Sequence, residues 1–332
     1  MPALPDTDSS SASSPYQRSR WRAATSQLVT RVHVHLAGRH TLRAQGTRLL
    51  KGIGAGVGYA ALIEPRWIER THIEFAIPGL SAGLDGYRIV HLSDLHHNLV
   101  AGRGFLQRVV ELANGLDPDL VVVTGDFVTH NPERLWGCFD VLRHLRAPDG
   151  VLATRGNHDY RCSLDMMERA CDHAGVRLLE NRHVVVRPAR QRGLLLAPRR
   201  EPVGLVVAGV GDLQEGTVDA ARALGSAPGD LPRILLSHNP LVAELIRPEH
   251  RVALQLSGHT HGGQVRPFRR PVALFNGGAA QYSSGIIAAP HTTVYVSRGV
   301  GTSALHVRWN CRPEIALLTL HPAPESAPAP VS

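Results

Sequence analysis

Five short apolar runs in this sequence each stop at residues able to grip a cation. RIVHLS stops at Asp94, Leu95 and His96, and LVVVT at Gly125 and Asp126. VLATR stops at Gly156, Asn157, His158 and Asp159, RILLS at His238 and Asn239, and LQLS at Gly258, His259, Thr260, His261, Gly262 and Gly263. Taken singly, each signal is weak. An Asp after a strand is often a helix cap, Gly-Asp is often a turn, and a lone His is more often a satisfied polar residue than a ligand. Five such stops in one strand-to-loop position carry more weight, because ligands of α/β folds collect outside the carboxyl ends of strands. With His158, Asp159 and Asn239 set aside, the stops hold two Asp, four His and one Asn: Asp94, His96, Asp126, Asn157, His238, His259 and His261.

Mixed imidazole and carboxylate donors suit Mn, Fe, Zn, Co or Ni. Seven donors are too many for one tetrahedral zinc, but they serve two ions if one carboxylate bridges. No thiolate belongs to the set, which argues against an iron–sulfur cluster or a structural zinc. Two ions ~3.5–4 Å apart clamp phosphoryl oxygens, acidify a bound water and orient the resulting hydroxide for in-line displacement at phosphorus. Gly258, Gly262 and Gly263 let the backbone turn sharply beside the ions. His259 and His261 would face the same way on a regular strand, so a tight loop has to aim them at different ions.

The elements that must position these residues can be read as a repeat of short strands and helices. Strands are expected at 88–92, 120–123 and 151–154, with helices at 105–116 and 135–145 between them, a β-α-β pattern. Further strands are expected at 184–186, 194–196, 205–210, 234–236, 253–256, 294–296 and 315–320, joined by turn-rich links. The second half therefore reads as antiparallel or mixed. Two packed sheets with helices outside would fit.

Composition sets the limits. The 332 residues are 43% hydrophobic and 19% charged, enough for a sizeable core. Cys138, Cys162, Cys171 and Cys311 are scattered, so neither a disulfide scaffold nor a zinc ribbon is indicated. No uncharged apolar run reaches the roughly 18 residues of a spanning helix. The net charge of +8 invites a nucleic-acid partner, but nine arginines and Lys51 stand against only four acids within residues 1–70, which leaves the body near neutral. Nor is there an aromatic-rich basic stripe. Residues 1–48 read as a disordered basic arm, and 49–70 as a short apolar segment (GIGAGVGYAALI) with a linker. That segment is either a signal-like stretch or a packing helix. Residues 71–320 form the folded domain, and 321–332 a Pro/Ala-rich tail.

The order D-x-H, G-D, G-N-H-D, H, G-H-x-H resembles that of the calcineurin-like metallophosphoesterases. GHTHGGQ and the ending YVSRGVG…RPEIALLTL resemble their bacterial, often membrane-associated, phosphodiesterase-like subfamily. The resemblance implies a four-layer α/β/β/α sandwich of two mixed sheets, the metallo-dependent phosphatase fold. It implies that Asp94, His96 and His261 hold one divalent ion, that Asn157, His238 and His259 hold a second, and that Asp126 bridges both. It also implies that His158 faces the substrate as acid or charge stabiliser, with Asp159 orienting it. Relatives of this kind often carry a twin-arginine signal; here Arg48 stands alone. Arg298 reads equally as a phosphate contact or a structural residue, His97 as an exposed loop histidine ahead of a substrate contact, and Asp212 as a cap or turn residue ahead of a role behind the metal ligands.

The expected activity is hydrolysis of a phosphoester bond. The substrate would be a membrane-linked phosphodiester or pyrophosphate such as UDP-2,3-diacylglucosamine, with peripheral or N-terminally anchored membrane association and no protein partner. Alternatives are a phosphomonoesterase, a protein phosphatase, a nucleotidase, a nuclease or an inactive metal-binding module. The complete donor set argues against the last.

Overall fold

The computed structural model describes residues 54–98, 101–189, 203–269 and 280–324. The basic arm, residues 49–53, the strand expected at 194–196 and the tail beyond residue 324 lie outside these.

Two six-stranded sheets carry the fold. The first runs β1-β12-β2-β3-β4-β5, with β1 Glu69–Ile77, β2 Tyr87–Leu92, β3 Leu120–Thr124, β4 Val151–Thr154, β5 Val176–Leu178 and β12 Glu314–Pro322. The second runs β10-β11-β9-β8-β7-β6, with β6 Arg182–Val186, β7 Leu205–Gly209, β8 Arg233–Leu236, β9 Val252–Ser257, β10 Gly285–Ala288 and β11 Thr293–Val296. Both sheets are mixed. In the first, β2 to β5 pair in parallel and β12 pairs antiparallel to β2. In the second, β7, β8, β9 and β11 pair in parallel between the antiparallel edges β6 and β10. The second half is thus more parallel than its turn-rich links suggest. Among the described residues its crossovers use short helical turns and no long helix.

Alternation along the strands sorts side chains into layers. Ile89, Leu120, Val122 and Leu152 point between the sheets, where they meet Val207, Ile234, Leu254 and Leu256. Val90, Leu92, Val121, Val123 and Ala153 point the other way, beneath α1 (Arg103–Asn114), α2 (Arg134–Leu142) and α3 (Leu164–Ala174). In α1 the buried residues are Leu106, Val109, Val110 and Ala113, one helical stripe. On the far face of the second sheet, Val206, Ala208 and Leu235 pack under α4 (Ala220–Leu224). The molecule is a four-layer α/β/β/α sandwich, and the expected strand–helix alternation of the first half is its first sheet.

The apolar stretch before β1 forms helical turns from residue 54 to Arg66. These pack on the loop before β12. The Arg308 N–H donates to the Ala60 carbonyl at 2.9 Å, and the buried Glu64 carboxylate accepts from the Cys311 N–H at 2.6 Å. Glu69 and Arg70 belong to β1, in register with Glu314 and Ile315. Among the described residues no helix is long and apolar enough to cross a membrane.

Candidate metal centre

The sheets bring the five stops together at one edge. Beyond β2 and β3 the chain keeps pairing without strand geometry: Asp94 N–H donates to Gly125 O, His96 N–H to Asp126 O and His97 N–H to Phe127 O. This locks the D-x-H loop against the G-D loop. Asp94, His96, Asp126, His259 and His261 all sit at positive φ, between 45° and 70°. For residues other than glycine such backbone costs about 1–3 kcal/mol each and persists only where the surroundings impose it, most often at functional sites. Gly258 is required for a different reason. Any Cβ there would run into Ser93 Oγ and the Asp94 carboxylate, so only glycine lets β9 hand His259 and His261 to the site.

Asp126 is the shared member. Its Oδ2 lies 3.3 Å from His96 Nε2 and 3.3 Å from His238 Nε2, while its Oδ1 accepts the His158 N–H at 3.0 Å. On one side His96 Nε2 is 3.0 Å from His261 Nε2, which is 3.3 Å from Asp94 Oδ1. Donor atoms of Asp94, His96, Asp126 and His261 all fall within 4.8 Å of one another. On the other side His259 Nδ1 is 3.2 Å from Asn157 Oδ1 and 3.3 Å from His238 Nε2. The tight loop does aim the two histidines apart, His259 by Nδ1 and His261 by Nε2.

These spacings fit cations. Neighbouring donors at bonds of about 2.0–2.2 Å around one ion are separated by about 3.0–3.5 Å. Facing imidazole nitrogens such as His96 Nε2 and His261 Nε2 offer lone pairs to each other unless something positive lies between them. The remaining ring nitrogens are partly anchored: His238 Nδ1 donates to the Thr124 carbonyl at 2.7 Å, and His96 Nδ1 meets Thr129 Oγ1 at 3.1 Å. Such anchors fix which nitrogen faces an ion. His259 Nε2 and His261 Nδ1 are buried without a partner.

Titration agrees. Burial lowers His96 to about 3 against the pull of Asp126, and it lowers His259 to about 4, with His238 adding. Burial and the His96 ring hold His261 well below its ordinary value. Burial pushes Asp94 up to about 6. Burial would raise Asp126 too, but His238 and His96 outweigh it and hold that carboxyl well below the usual range. His238 goes the other way: burial opposes its charge, yet Asp126 and Asp94 raise it well above 6.5. A proton held among carboxylates is one that a divalent ion would displace, with a gain in charge balance.

Two sequence-level assignments change here, those of Asp159 and His97. Asp159 does not touch His158. Its buried carboxylate accepts from the N–H groups of Asp126, Phe127 and Gly156 at 2.7–2.9 Å, so it ties the G-D loop to the G-N-H-D loop. The residue that holds His158 is Thr129, whose carbonyl accepts from His158 Nδ1 at 2.8 Å. A main-chain acceptor leaves no mark in sequence. His97 is buried, not exposed: its Nδ1 donates to the Arg134 carbonyl at 2.9 Å, and its ring packs on Gly137. Arg298 is structural, its guanidinium 3.0 Å from both Glu69 and Glu314. Asp212 Oδ1 caps a turn by accepting from Gln214 and Glu215 N–H.

Arg308, not singled out from the sequence, is fully buried. It donates to the carbonyls of Arg298, Gly299, Gly301 and Cys311, holding the loop whose Gly299 backs onto Asp94. Its nearest sequence signal is an Arg three residues before a Cys, which is no signal at all.

A buried Asp/His cluster at the carboxyl edge of two mixed sheets defines a metal-dependent hydrolase of phosphate esters, and the chain belongs to the calcineurin-like phosphoesterase family, whose pattern matches residues 87–263. The family uses two divalent metals, and the Asp/His cluster fits them. Among its relatives is the uncharacterized metallophosphoesterase YkuE of Bacillus subtilis (strain 168), 35% identical over 271 residues, 80% of this chain and 90% of that protein. Phosphodiesterase YaeI of Escherichia coli (strain K12) is 31% identical over 287 residues, 83% of this chain and 97% of that protein. A transmembrane protein with metallophosphoesterase domain from Danio rerio is 31% identical over 261 residues, 76% of this chain and 57% of that protein.

Proposed function

We propose that the chain hydrolyses phosphodiester or pyrophosphate bonds of a membrane-linked substrate, of which UDP-2,3-diacylglucosamine is an example. Asp94, His96 and His261 would hold one divalent ion, Asn157, His238 and His259 the other, and Asp126 both. When bound, the ions supply positive charge that draws in phosphoryl oxygens and acidifies a water for attack at phosphorus. The protein's own residues do the rest. His158 stands beside Asp126, with its ring 5.1 Å from that of His96. Because its Nδ1–H donates to the Thr129 carbonyl, the nitrogen left for the substrate is Nε2. In the imidazolium form that nitrogen carries the proton for the leaving oxygen, and the carbonyl steadies the charge. Asp159 and Gly156 keep the two loops at the spacing this needs.

The observation that carries the hydrolase reading is the convergence on Asp126 of histidines from three loops. The diester preference draws support from the name of the Escherichia coli relative. The membrane-linked class draws support from the transmembrane relative and from an exposed apolar edge near the centre. Leu62, Ile63, Trp67, Leu305 and Trp309 are exposed. The Trp309 N–H donates to the carbonyl of Gln264, three residues past His261, and the Arg312 guanidinium lies 3.7 Å from the Trp67 ring. Aromatic rings paired with arginines suit the boundary of a bilayer.

The test is an assay of the Mn-loaded full chain on an aryl phosphodiester, an aryl phosphomonoester and UDP-2,3-diacylglucosamine in mixed micelles. Turnover of the diester and the glycolipid, abolished by EDTA, is the expected result. A faster monoesterase would favour the phosphomonoesterase alternative, and inertness toward all three would overturn the reading.

A further inference from the structure

Beside His158 lies a cleft of about 260 Å³ that the metal donors do not use. Its walls include His97, Thr129, His130, Asn131, Arg134 and His306, and among the described residues no Asp or Glu lines it. Arg134 is the first residue of α2. Its main chain is engaged, the N–H with Asn131 O and the carbonyl with His97 Nδ1, but its guanidinium has no hydrogen-bond or ion-pair partner among the described residues. His130 Nδ1 accepts from Arg161 Nη1 at 3.1 Å, so the His130 proton sits on Nε2 and that nitrogen is left to donate. His306 Nδ1 is likewise taken, by Thr302 Oγ1 at 3.1 Å. One guanidinium and two imidazole edges line the cleft, with Arg161 behind His130, and among the described residues no carboxylate lines it.

Thr129 joins this cleft to the metal centre. Its hydroxyl meets His96 Nδ1, its carbonyl holds His158 Nδ1, and the next ring along, His130, is 5.7 Å from that of His158. A group seated in the cleft is therefore next to the phosphorus under attack, on the side where His158 faces the leaving oxygen.

We infer that this cleft is a subsite for a second phosphate joined to the first, so that the substrate class is the diphosphate diesters. The inference rests on the phosphoester reading above and narrows it. A planar guanidinium and imidazole N–H donors match the oxygens of a phosphate, whereas a simple monoester or diester leaves these cations uncompensated. In the reaction the P–O–P bond breaks and the oxygen of water bonds to the attacked phosphorus. The bridging oxygen departs on the cleft phosphate, and the two hydrogens of water end one on each phosphomonoester product.

The experiment compares kcat/KM for a diphosphate diester (a UDP-sugar ester) and for an aryl diester with one phosphate, in wild type, Arg134→Gln and Arg134→Lys. The ratio of the two should fall at least tenfold in Arg134→Gln, mainly through KM for the diphosphate, and recover in part in Arg134→Lys. Thermal melts would confirm that the variants fold. Alongside it, competition by UDP and UMP in excess Mn reads the subsite without turnover: wild type should prefer UDP at least tenfold, and Arg134→Gln should lose that preference. If neither diester is turned over, the hydrolase reading fails while the UDP preference still judges the cleft. An unchanged ratio, or a UDP preference that survives Arg134→Gln, overturns the inference.

Discussion

The two sides of Asp126 are built differently. Asp94, His96 and His261 are 0%, 0% and 4% exposed, all three on left-handed backbone and backed by Gly299 and Gly262, the latter packed on Cys311 and Arg298. Across the carboxylate, Asn157 and His259 are only half-buried, next to the half-buried His158 and the open cleft at His130. The closed side seals all three of its donors; the open side, although His238 is buried and His259 shares the left-handed backbone, leaves room for a substrate. A hydrolase needs both, because the charge on the phosphoryl oxygens must be met by rigidly held groups while the leaving oxygen departs into open space, opposite the attacking oxygen.

The strongest way to break this division is at the member common to both sides. Asp126→Asn keeps the size of the side chain but gives up the charge that faces His96 and His238. Turnover of an aryl diester should fall by about 10⁴ or more, and metal content should drop below two ions per chain. A variant retaining two ions and a tenth of the activity would remove Asp126 from its shared position. On the open side alone, His158→Ala should leave both ions in place yet lower kcat by ~10²–10⁴. Full activity in that variant would refute proton delivery from Nε2. A smaller effect separates the sides by kinetics. EDTA should strip the ions in two phases, the faster from the Asn157/His238/His259 side by about tenfold, and His259→Ala should abolish the fast phase. A single phase would mean that the difference in burial does not control access.

Much of this division was legible in the residues, and the limits have physical causes. The donors could be read because each ends an apolar run of strand length, and strand ends fall in a line once the strands pair. The first sheet could be read for the same reason: in the 105–116 segment an apolar stripe at helical spacing falls within two residues of α1. What escaped the sequence depends on partners distant in the chain. β5 is only three residues long and is a strand because β4 pairs with it, while β1, which does alternate at Ile73, Phe75 and Ile77, takes its place in the sheet from β12. The signals for α3 were present, Ser163 as N-cap and Gly175 at positive φ as C-cap, but its buried face is only Met167, Ala170 and Cys171. Asp159 was placed in the right cluster with the wrong partner, because a carboxylate serves main-chain N–H groups as readily as an imidazole. Which side of Asp126 would be closed depends on Arg308 and the loop it gathers, and loops held through carbonyls carry no pattern.

The closed side also rests on β2, where His91 offers the finest test of its burial. The ring is fully buried, with Nε2 2.8 Å from Thr124 Oγ1 and Tyr295 edge-on at 6.0 Å. Burial lowers its pKa to about 4, with Glu314 opposing, whereas in the unfolded chain the ordinary value near 6.5 returns. Between those limits the unfolded state takes up a proton that the folded state refuses. Stability is therefore complete above pH 6.5 and declines as the pH falls toward 4, by about 3 kcal/mol over the whole window. His96, His259 and His261 push in the same direction, so the His91 share must be isolated by difference. With chelator present throughout, urea unfolding at pH 7.5 and pH 5 should show a smaller loss on acidification in His91→Gln than in wild type, by about 2 kcal/mol. Equal losses in the two proteins would mean that the ring under the closed side takes up its proton without unfolding, and that this wall of the centre is less sealed than its burial implies.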